Sequence, residues 1–431
     1  MNPRKLALEL LCKAEKNGQY TNIALDRALL ESDLSEADRA LCSALFYGVT
    51  ERRISLDHRI AALSARPLQE LDATVRNALR LGIYQLEFLD RIPPHAAIYE
   101  TVAICQKKSA GFVNAVLRAH QRTPKTRLPD KETAPVSYLS IGYSVGEPLV
   151  KKLIAIYGVE RAESLLDAFS QNPPTTLRVN TLKVDRNTLA SRIEGTEPTA
   201  LSPHGLHVRG ALRSLYGFDE GLFFVQDEAS QLCVEALGAK EGDTVLDICS
   251  CPGSKSFGSA IRMNNTGAIH AFDLHEKKLS LVVSGAQKLG ITILDTHAND
   301  GRNFMPEWEG QADCVLCDVP CSGFGVIAKK PELRYKDPSV SEALPDIQQG
   351  ILETACRYVK VGGTLVYSTC TIFPEENEEN VARFLSSHPE FSLTPFRVGA
   401  FDCPTGQITL LPDRHPTDGF FIAKLTKKEN T

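Results

Sequence analysis

Two cysteines stand out by the residues around them. Cys321 lies in Asp318-Val319-Pro320-Cys321-Ser322-Gly323, just past the apolar run Cys314-Val315-Leu316-Cys317. Cys370 lies in Tyr367-Ser368-Thr369-Cys370-Thr371, just past Thr364-Leu365-Val366. Thiols at the ends of two buried strands are placed for covalent catalysis, which splits one hard step into two easier ones. The thiolate is the attacking form, so such a site must lower a cysteine pKa from its free value near ~8.5. Cysteines elsewhere, such as Cys12, Cys42 and Cys105, read as small buried apolar residues. Metal binding is the other use of the closely spaced Cys314, Cys317 and Cys321. Cys314 and Cys317 are an odd number apart on an expected strand and so face opposite sides. No histidine cluster completes a tetrahedral set. No metal site is expected.

These cysteines need a sheet to position them. From residue 226 onward, expected strands alternate with helices. The strands are Thr244 to Ile248, Ala268 to Asp273, one opening at Ile291 to Leu294, Cys314 to Asp318, and Thr364 to Ser368. Amphipathic segments at 275–289 and 342–358 separate them. That alternation implies a parallel, doubly wound sheet. Two late segments, 408–411 and 419–425, fit an antiparallel hairpin at one edge. Adjacent parallel strands bring Cys321 and Cys370 to one rim.

Ligands of open α/β sheets bind outside the carboxyl ends of the strands. Asp247, Asp273 and Asp318 sit at such ends, and Asp300 follows the third strand. Any one of them reads equally well as a helix cap. Four in register favour a ligand. Asp247 precedes Cys249-Ser250-Cys251-Pro252-Gly253-Ser254-Lys255, a tight turn opening a helix. Gly253 lets the backbone approach a ligand. The helix N-terminus and Lys255 suit a carboxylate. The turn lacks the three spaced glycines of a dinucleotide site. Asp273 is placed for a ribose diol and Asp300 for the adenine side. This pattern does not separate S-adenosylmethionine from another nucleoside.

Two rim cysteines beside a methyl donor fit one reaction, methylation of cytosine at carbon 5. That carbon is a poor nucleophile in the neutral ring. A thiolate adding to carbon 6 makes an enamine whose carbon 5 attacks the methyl group. Asp318 is the candidate to hydrogen-bond or protonate ring nitrogen 3. A base must then remove the carbon-5 proton so that the thiol is eliminated. An amino-group methyltransferase would instead carry Asn/Asp-Pro-Pro-aromatic after the fourth strand, where this chain has Pro320-Cys321.

Upstream, residues 1 to about 125 read as all-helical. Leu6, Leu10 and Leu11, then Leu41, Leu45 and Val49, then Val75, Leu79, Ile83 and Leu86 form apolar stripes. Gly18, Gly48, Pro67 and Pro93-Pro94 read as breakers between them. A linker follows through Lys131. Helical patterns at 146–157, 159–170 and 185–194 and β-like pieces at 176–180, 205–209 and 222–225 suggest a small α+β module. The expected domains are therefore 1–137, 138–225 and 226–431.

The 431 residues are 43% hydrophobic and 23% charged, with net charge −5. RNA binding by such an acidic chain would rest on local basic patches. Arg178, Lys183 and Arg186, with Lys329, Lys330, Arg334 and Lys336, are the candidate phosphate contacts. A duplex cytosine would have to be flipped out, so a loop or single strand is the expected target. Apolar runs are short, the N-terminus does not read as a signal peptide, and twelve cysteines suit a reducing compartment. The expectation is a cytoplasmic protein, with no membrane partner and no required oligomer.

Several of these motifs together resemble the bacterial RsmB (Sun/Fmu-type) 16S ribosomal RNA cytosine-C5 methyltransferases of the NOL1/NOP2/Sun family. The N-terminal part, including Phe112-Val113-Asn114-Ala115-Val116-Leu117-Arg118, is similar to a NusB-like RNA-binding domain. Leu177-Arg178-Val179-Asn180 and Val225-Gln226-Asp227-Glu228-Ala229-Ser230 resemble signatures flanking a small ferredoxin/RRM-like module. Asp318 to Gly323 with Val326-Ile327 and Lys329-Lys330-Pro331-Glu332, Ser368 to Thr371 with Pro374-Glu375-Glu376-Asn377, and Asp418-Gly419-Phe420-Phe421 are similar to motifs of a Rossmann-like methyltransferase domain. The resemblance implies Cys370 as nucleophile and Cys321 as the residue assisting product release. It also implies that Cys249 to Lys255, Asp273, Asp300 and Asp318 hold S-adenosylmethionine. The family's turn reads Cys-Ala-Ala-Pro-Gly-Gly-Lys, so Ser250, Cys251 and Ser254 are departures. Ser254 matters most if its position requires a positive φ. Cys251 reads as a packing variant. The remaining alternatives are a tRNA cytosine-C5 methyltransferase, or a non-catalytic ribosome-assembly factor with a degenerate turn.

Overall fold

Apolar side chains three and four residues apart give each N-terminal segment one buried face. In the computed structural model, which describes residues 2–17, 22–123, 126–210 and 212–429, these segments are helices. Met1 and Gly18 lie outside the described residues. The first compact unit comprises Met1–Ser170 and Lys329–Pro338. Its helices are Pro3–Asn17, Asn22–Leu30, Glu36–Glu51, Arg53–Leu63, Ala73–Phe88, Pro94–Ala103, Lys107–Arg122, Pro135–Tyr143, Glu147–Tyr157 and Val159–Ala168. Leu6, Leu10, Leu45, Val49, Leu79, Ile83 and Leu117 meet in its core. Gly48, expected as a breaker, lies inside Glu36–Glu51 instead. It is there for close packing, since a Cβ would stand 1.9 Å from the Tyr84 ring. The helices over 147–157 and 159–168, grouped in sequence with the small module, pack in this unit.

The segment Lys329–Pro338 packs into the same helical unit. Its Arg334 is 4% exposed. The guanidinium donates to the carbonyls of Tyr143, 3.0 Å, and Phe169, 2.6 Å, at the ends of two helices. Those carbonyls are the orphan acceptors of a helix C-terminus, and a cation there also meets the negative end of the macrodipole. Tyr335 Oη donates to the Thr50 carbonyl at 2.6 Å, and the Arg53 guanidinium covers its ring at 3.9 Å. Arg334 is therefore a buried double helix cap, and its place among the phosphate contacts is corrected.

The second unit comprises Gln171–Ala328 and Ser339–Thr431. Thr175–Val179 forms the middle of a small antiparallel sheet with Gly205–Val208 on one side and Phe223–Val225 on the other. Glu197–Pro198 adds to Gly205–Val208. Helix Arg186–Arg192 is capped by Asp185, which accepts the Thr188 N–H. The large sheet holds five parallel strands, Thr244–Asp247, Ala268–Asp273, Leu294–Ala298, Ala312–Asp318 and Val359–Thr369. Their spatial order is third, second, first, fourth, fifth. The chain reverses direction of winding between the first and fourth strands, the switch point where such sheets bind ligands. The third strand begins at Leu294, later than its apolar lead-in suggested. Phe420–Lys427 pairs antiparallel with the fifth strand, and Gln407–Leu410 with Phe391–Leu393 takes its outer side. Cys314 packs into one core of this sheet and Cys317 into the other.

Arg178 is the second corrected phosphate contact. It is 1% exposed, and its Nη2 donates to Glu235 at 2.7 Å. The Leu177-Arg178-Val179 strand is buried along most of its length, so its one cation is enclosed with a carboxylate.

Replacing Arg334 with alanine leaves two helix-end carbonyls without their charged donor. The expected cost is on the order of 3 kcal/mol, read as faster amide hydrogen exchange at the C-terminal turns of Pro135–Tyr143 and Val159–Ala168. Lysine at this position restores less than half of the protection, because a single ammonium lacks the planar fork.

Candidate active site at the strand ends

The fourth and fifth strands pair in parallel with Asp318 opposite Ser368. Pairing continues one step further, from the Val319 N–H to the Ser368 carbonyl at 3.1 Å. Cys321 and Cys370 follow within three residues, and their Sγ atoms are 3.2 Å apart. The Cys370 N–H also points at Cys321 Sγ, 3.2 Å away. Both are free thiols. Contact with Cys370, then burial, push the Cys321 thiol well above its ordinary range.

A buried polar network holds the two loops that carry them. Glu376 Oε2 accepts from the Ser322 N–H and from Gln348 Nε2, both at 2.9 Å. Gln348 Nε2 also reaches the Pro320 carbonyl at 3.0 Å. Tyr367 Oη donates to the Glu376 carbonyl at 2.6 Å, and Asn377 Nδ2 to the Thr371 carbonyl at 3.0 Å. Ser322 and Thr371 hydroxyls are 2.7 Å apart. The Gly325 N–H donates to the Cys370 carbonyl at 2.9 Å, and the Gly419 N–H to the Gly325 carbonyl at 2.8 Å. Gly325 has no room for a side chain, because a Cβ would stand 1.9 Å from the Gly419 carbonyl oxygen.

Asp318 lies beside this pair with both carboxylate oxygens engaged. Lys255 Nζ donates to one at 2.6 Å and Ser368 Oγ to the other at 2.8 Å. Burial lowers the Lys255 pKa, but Asp318 and the neighbouring thiols together raise it above its ordinary value, so the ammonium stays charged. Lys255, expected to receive a ligand's carboxylate, is paired instead with the chain's own Asp318.

The turn Cys249 to Lys255 connects the first strand to helix Ser254–Arg262. Its left-handed residue is Gly253, φ 106°, not Ser254, which opens the helix with ordinary backbone. The concern over Ser254 is therefore removed. The Cys251-Pro252 peptide is cis. Cys251 packs against the sheet core, and burial with Asp273 pushes its thiol up to about 12. The helix start has no side-chain cap. Asp273 accepts the N–H groups of Cys251, 3.2 Å, and His275, 2.9 Å. Asp300 is bound on both oxygens by Arg302, which holds its carboxyl below the usual range. The Asn299 N–H ties this loop to the Asp273 carbonyl at 3.1 Å.

Asp247, at the end of the first strand, takes the Ser256 hydroxyl at 2.5 Å on one oxygen. Its other oxygen, Ser250 Oγ and Gln226 Oε1 are buried without a hydrogen-bond partner among the described residues. Three unsatisfied polar atoms around an uncapped helix start form a polar cradle, because buried polar groups are otherwise paired. A small ligand with several donors and a carboxylate fits that cradle. Among the described residues, no group of His, Cys, Asp and Glu is arranged to hold a metal, and no helix is long and apolar enough to cross a membrane.

Residues without a role in the sequence reading do much of the positioning. Ser256, Gln348, Tyr367 and Ser368 carry no local signature of their tasks, since their partners are 9 to 50 residues away. Glu376 and Gln226 lay within quoted motifs but had no assigned contact. Of the remaining phosphate candidates, Lys183 Nζ donates to the carbonyls of Glu220 and Lys288, and Arg186 reaches the Ser202 carbonyl. Lys329 and Lys330 are exposed and Lys336 is half-buried.

Residues 234–426 match the family described as 16S rRNA methyltransferase RsmB/F. Residues 1–122 match the NusB family, and 147–213 match the ferredoxin-like domain of RsmF/B-like methyltransferases. The chain is 38% identical over 443 residues to a probable ribosomal RNA small subunit methyltransferase B of Bacillus subtilis (strain 168), covering 99% of this chain and 98% of that one. It is 33% identical to the ribosomal RNA small subunit methyltransferase B of Sodalis glossinidius, with the same coverage. The crystal structure of PH0851 aligns with a TM-score of 0.79 at 27% identity, over 99% of both chains.

Two predictions follow from the site's packing. Burial raises the Asp247 carboxyl to about 7, against ~3.9 in an unfolded chain. Below pH ~4 both states hold the proton. Between there and about 7 only the folded state keeps it, so stability falls as pH rises through this window. From pH 5 to pH 8 the wild type should lose roughly 3 kcal/mol more than Asp247→Asn in urea titrations. Gly325→Ala should displace the Cys370 loop and cost about 2–3 kcal/mol, measured by the same titration at one pH.

Proposed function

The chain belongs to the RsmB/F family of 16S rRNA methyltransferases, and from that premise we propose that it methylates carbon 5 of a cytosine in 16S ribosomal RNA through a covalent cysteine adduct. It is an S-adenosylmethionine-dependent methyltransferase. The observation that carries the covalent reading is the pair of thiols 3.2 Å apart beside the Lys255–Asp318 ion pair.

Cys249 to Lys255, Asp273 and Asp300 would hold S-adenosylmethionine, with Asp247, Ser250 and Gln226 supplying the unsatisfied polar atoms. When bound, it supplies the electrophilic methyl group that carbon 5 accepts. The family's glycine and lysine are retained as Gly253 and Lys255, which supports cofactor binding despite Ser250, Cys251 and Ser254.

Cys370 is the nucleophile in this reading. Its thiolate forms the bond to carbon 6, and the ring's π pair moves to carbon 5. Asp318, held by Lys255, would hydrogen-bond or protonate ring nitrogen 3 as carbon 6 takes the thiolate. Cys321 keeps its proton, because its pKa is raised. Its S–H is within reach of Cys370 Sγ, and a donor to a thiolate favours the charged form. After methylation, loss of the carbon-5 proton restores the ring double bond and expels the Cys370 thiolate. Cys321 assists that release.

The test uses a 16S ribosomal RNA transcript and labelled S-adenosylmethionine. Cys370→Ala should transfer no methyl group. Cys321→Ala should accumulate a protein–RNA adduct that survives denaturing electrophoresis. An active Cys370→Ala enzyme would sink the mechanism, and bisulfite sequencing of the product names the cytosine.

A further inference from the structure

The Sγ atoms of Cys321 and Cys370 stand 3.2 Å apart, and a disulfide needs about 2.05 Å. A modest rotation about one Cα–Cβ bond swings a sulfur across that difference. The backbone around both residues keeps the sulfurs facing each other. Beside Cys321, the Ser322 N–H is held by Glu376 at 2.9 Å and the Pro320 carbonyl by Gln348 at 3.0 Å. The Cys370 carbonyl is held by the Gly325 N–H at 2.9 Å. Two groups fixed in this way react as parts of one molecule and not by chance encounter.

Both thiols are half-buried, which leaves them open to a small oxidant. The other half-buried thiols are differently placed. Cys12 Sγ accepts from Asn77 at 3.7 Å, and Cys105 Sγ donates to the Thr101 carbonyl at 3.2 Å. Cys249 and Cys251 pack against opposite cores of the large sheet. Within the rim pair the two sulfurs are not equivalent. Contact with Cys370, then burial, keep the proton on Cys321. The thiolate is the attacking form, so Cys370 meets an oxidant first.

We propose that this pair is a redox site, in which a hydroperoxide oxidises Cys370, Cys321 resolves the product to a disulfide, and the disulfide reversibly holds the nucleophile out of methyl transfer. The Cys370 thiolate attacks one peroxide oxygen, the O–O bond breaks, and hydroxide leaves and takes up a proton. Cys370 is then a sulfenic acid. The Cys321 sulfur attacks it, the S–S bond forms, and the S–O bond breaks. The hydroxyl departs as water with the Cys321 proton. The two thiols have lost two electrons, and hydrogen peroxide has become two waters. A dithiol returns both electrons through a mixed disulfide. A sulfenic acid with no thiol beside it goes on to the irreversible sulfinic acid, so Cys321 also guards the nucleophile. The site rests on the geometry, while its effect on methyl transfer rests on Cys370 being the nucleophile.

The test treats the reduced full chain, freed of reductant, with a few equivalents of hydrogen peroxide, then alkylates and digests it with trypsin. Lys329 and Lys360 lie between the two cysteines, so only a disulfide joins their peptides in the mass spectrum. The joined peptide should appear, short of two hydrogens, and methyl transfer to a 16S ribosomal RNA transcript should fall about tenfold or more. Dithiothreitol should separate the peptides and restore the rate to within about twofold. Cys321→Ser, shown to be folded by circular dichroism, should give no joined peptide. Its Cys370 should instead gain oxygen that dithiothreitol does not remove. A wild type in which both cysteines are still alkylated, or Cys370 is over-oxidised, would overturn the inference and leave the methylation mechanism standing. A joined peptide with full methyl transfer would overturn the switch, and Cys370 as nucleophile with it. An unoxidised Cys370 in Cys321→Ser would overturn the guarding role.

Discussion

Parallel pairing of two strands in one register is the constraint on which the site depends. With Asp318 opposite Ser368, the next residues of both strands leave the sheet together at the same rim. A slip of one residue would send every side chain of one strand to the other face. Cys314 and Cys317 would then exchange cores, and the two thiols would no longer meet. Both strands carry runs of consecutive buried residues, since both faces of the sheet are covered, so a slip would force two different cores to repack.

Register alone does not hold a loop. The segments after both strands are irregular, and their backbone groups need partners once buried. The carboxylate of Glu376, 1% exposed, takes on that task. It gathers the backbone of Ser322 and the amide of Gln348, while Tyr367 and Asn377 tie in the other loop. A buried network of this kind stiffens a structure when every member is satisfied. The unsatisfied atoms lie instead around the neighbouring turn, at Asp247, Ser250 and Gln226. The satisfied half of the site carries the thiols, and the unsatisfied atoms surround the turn between the first strand and its helix.

Charge was the property that sequence position described least well. Arg178 lies between Leu177 and Val179 and Arg334 between Leu333 and Tyr335, and both are enclosed, one against Glu235 and one against two helix-end carbonyls. An arginine buried with acceptors and an arginine facing solvent have the same sequence appearance. The helix Lys107–Arg122 differs because its cations recur with the helical repeat on the face opposite its buried residues, so periodicity itself locates them outside.

The sequence by itself determined the periodic elements, the parallel sheet, the strand-end aspartates and the prominence of Cys321 and Cys370. These follow from local rules, since apolar spacing reflects which face is buried and a turn residue reflects its own backbone angle. Gly253 is such a case, with its left-handed φ of 106°. Gly48 is the contrary case, a glycine demanded by the Tyr84 ring and not by a turn. The tertiary structure decided the partners: Lys255 with Asp318, Ser256 with Asp247, Glu376 with Ser322 and Gln348, and Arg334 with two helix ends. Those choices join residues from 9 to 191 positions apart. No local pattern encodes them, because they depend on which groups remain unpaired after the strands and helices have packed.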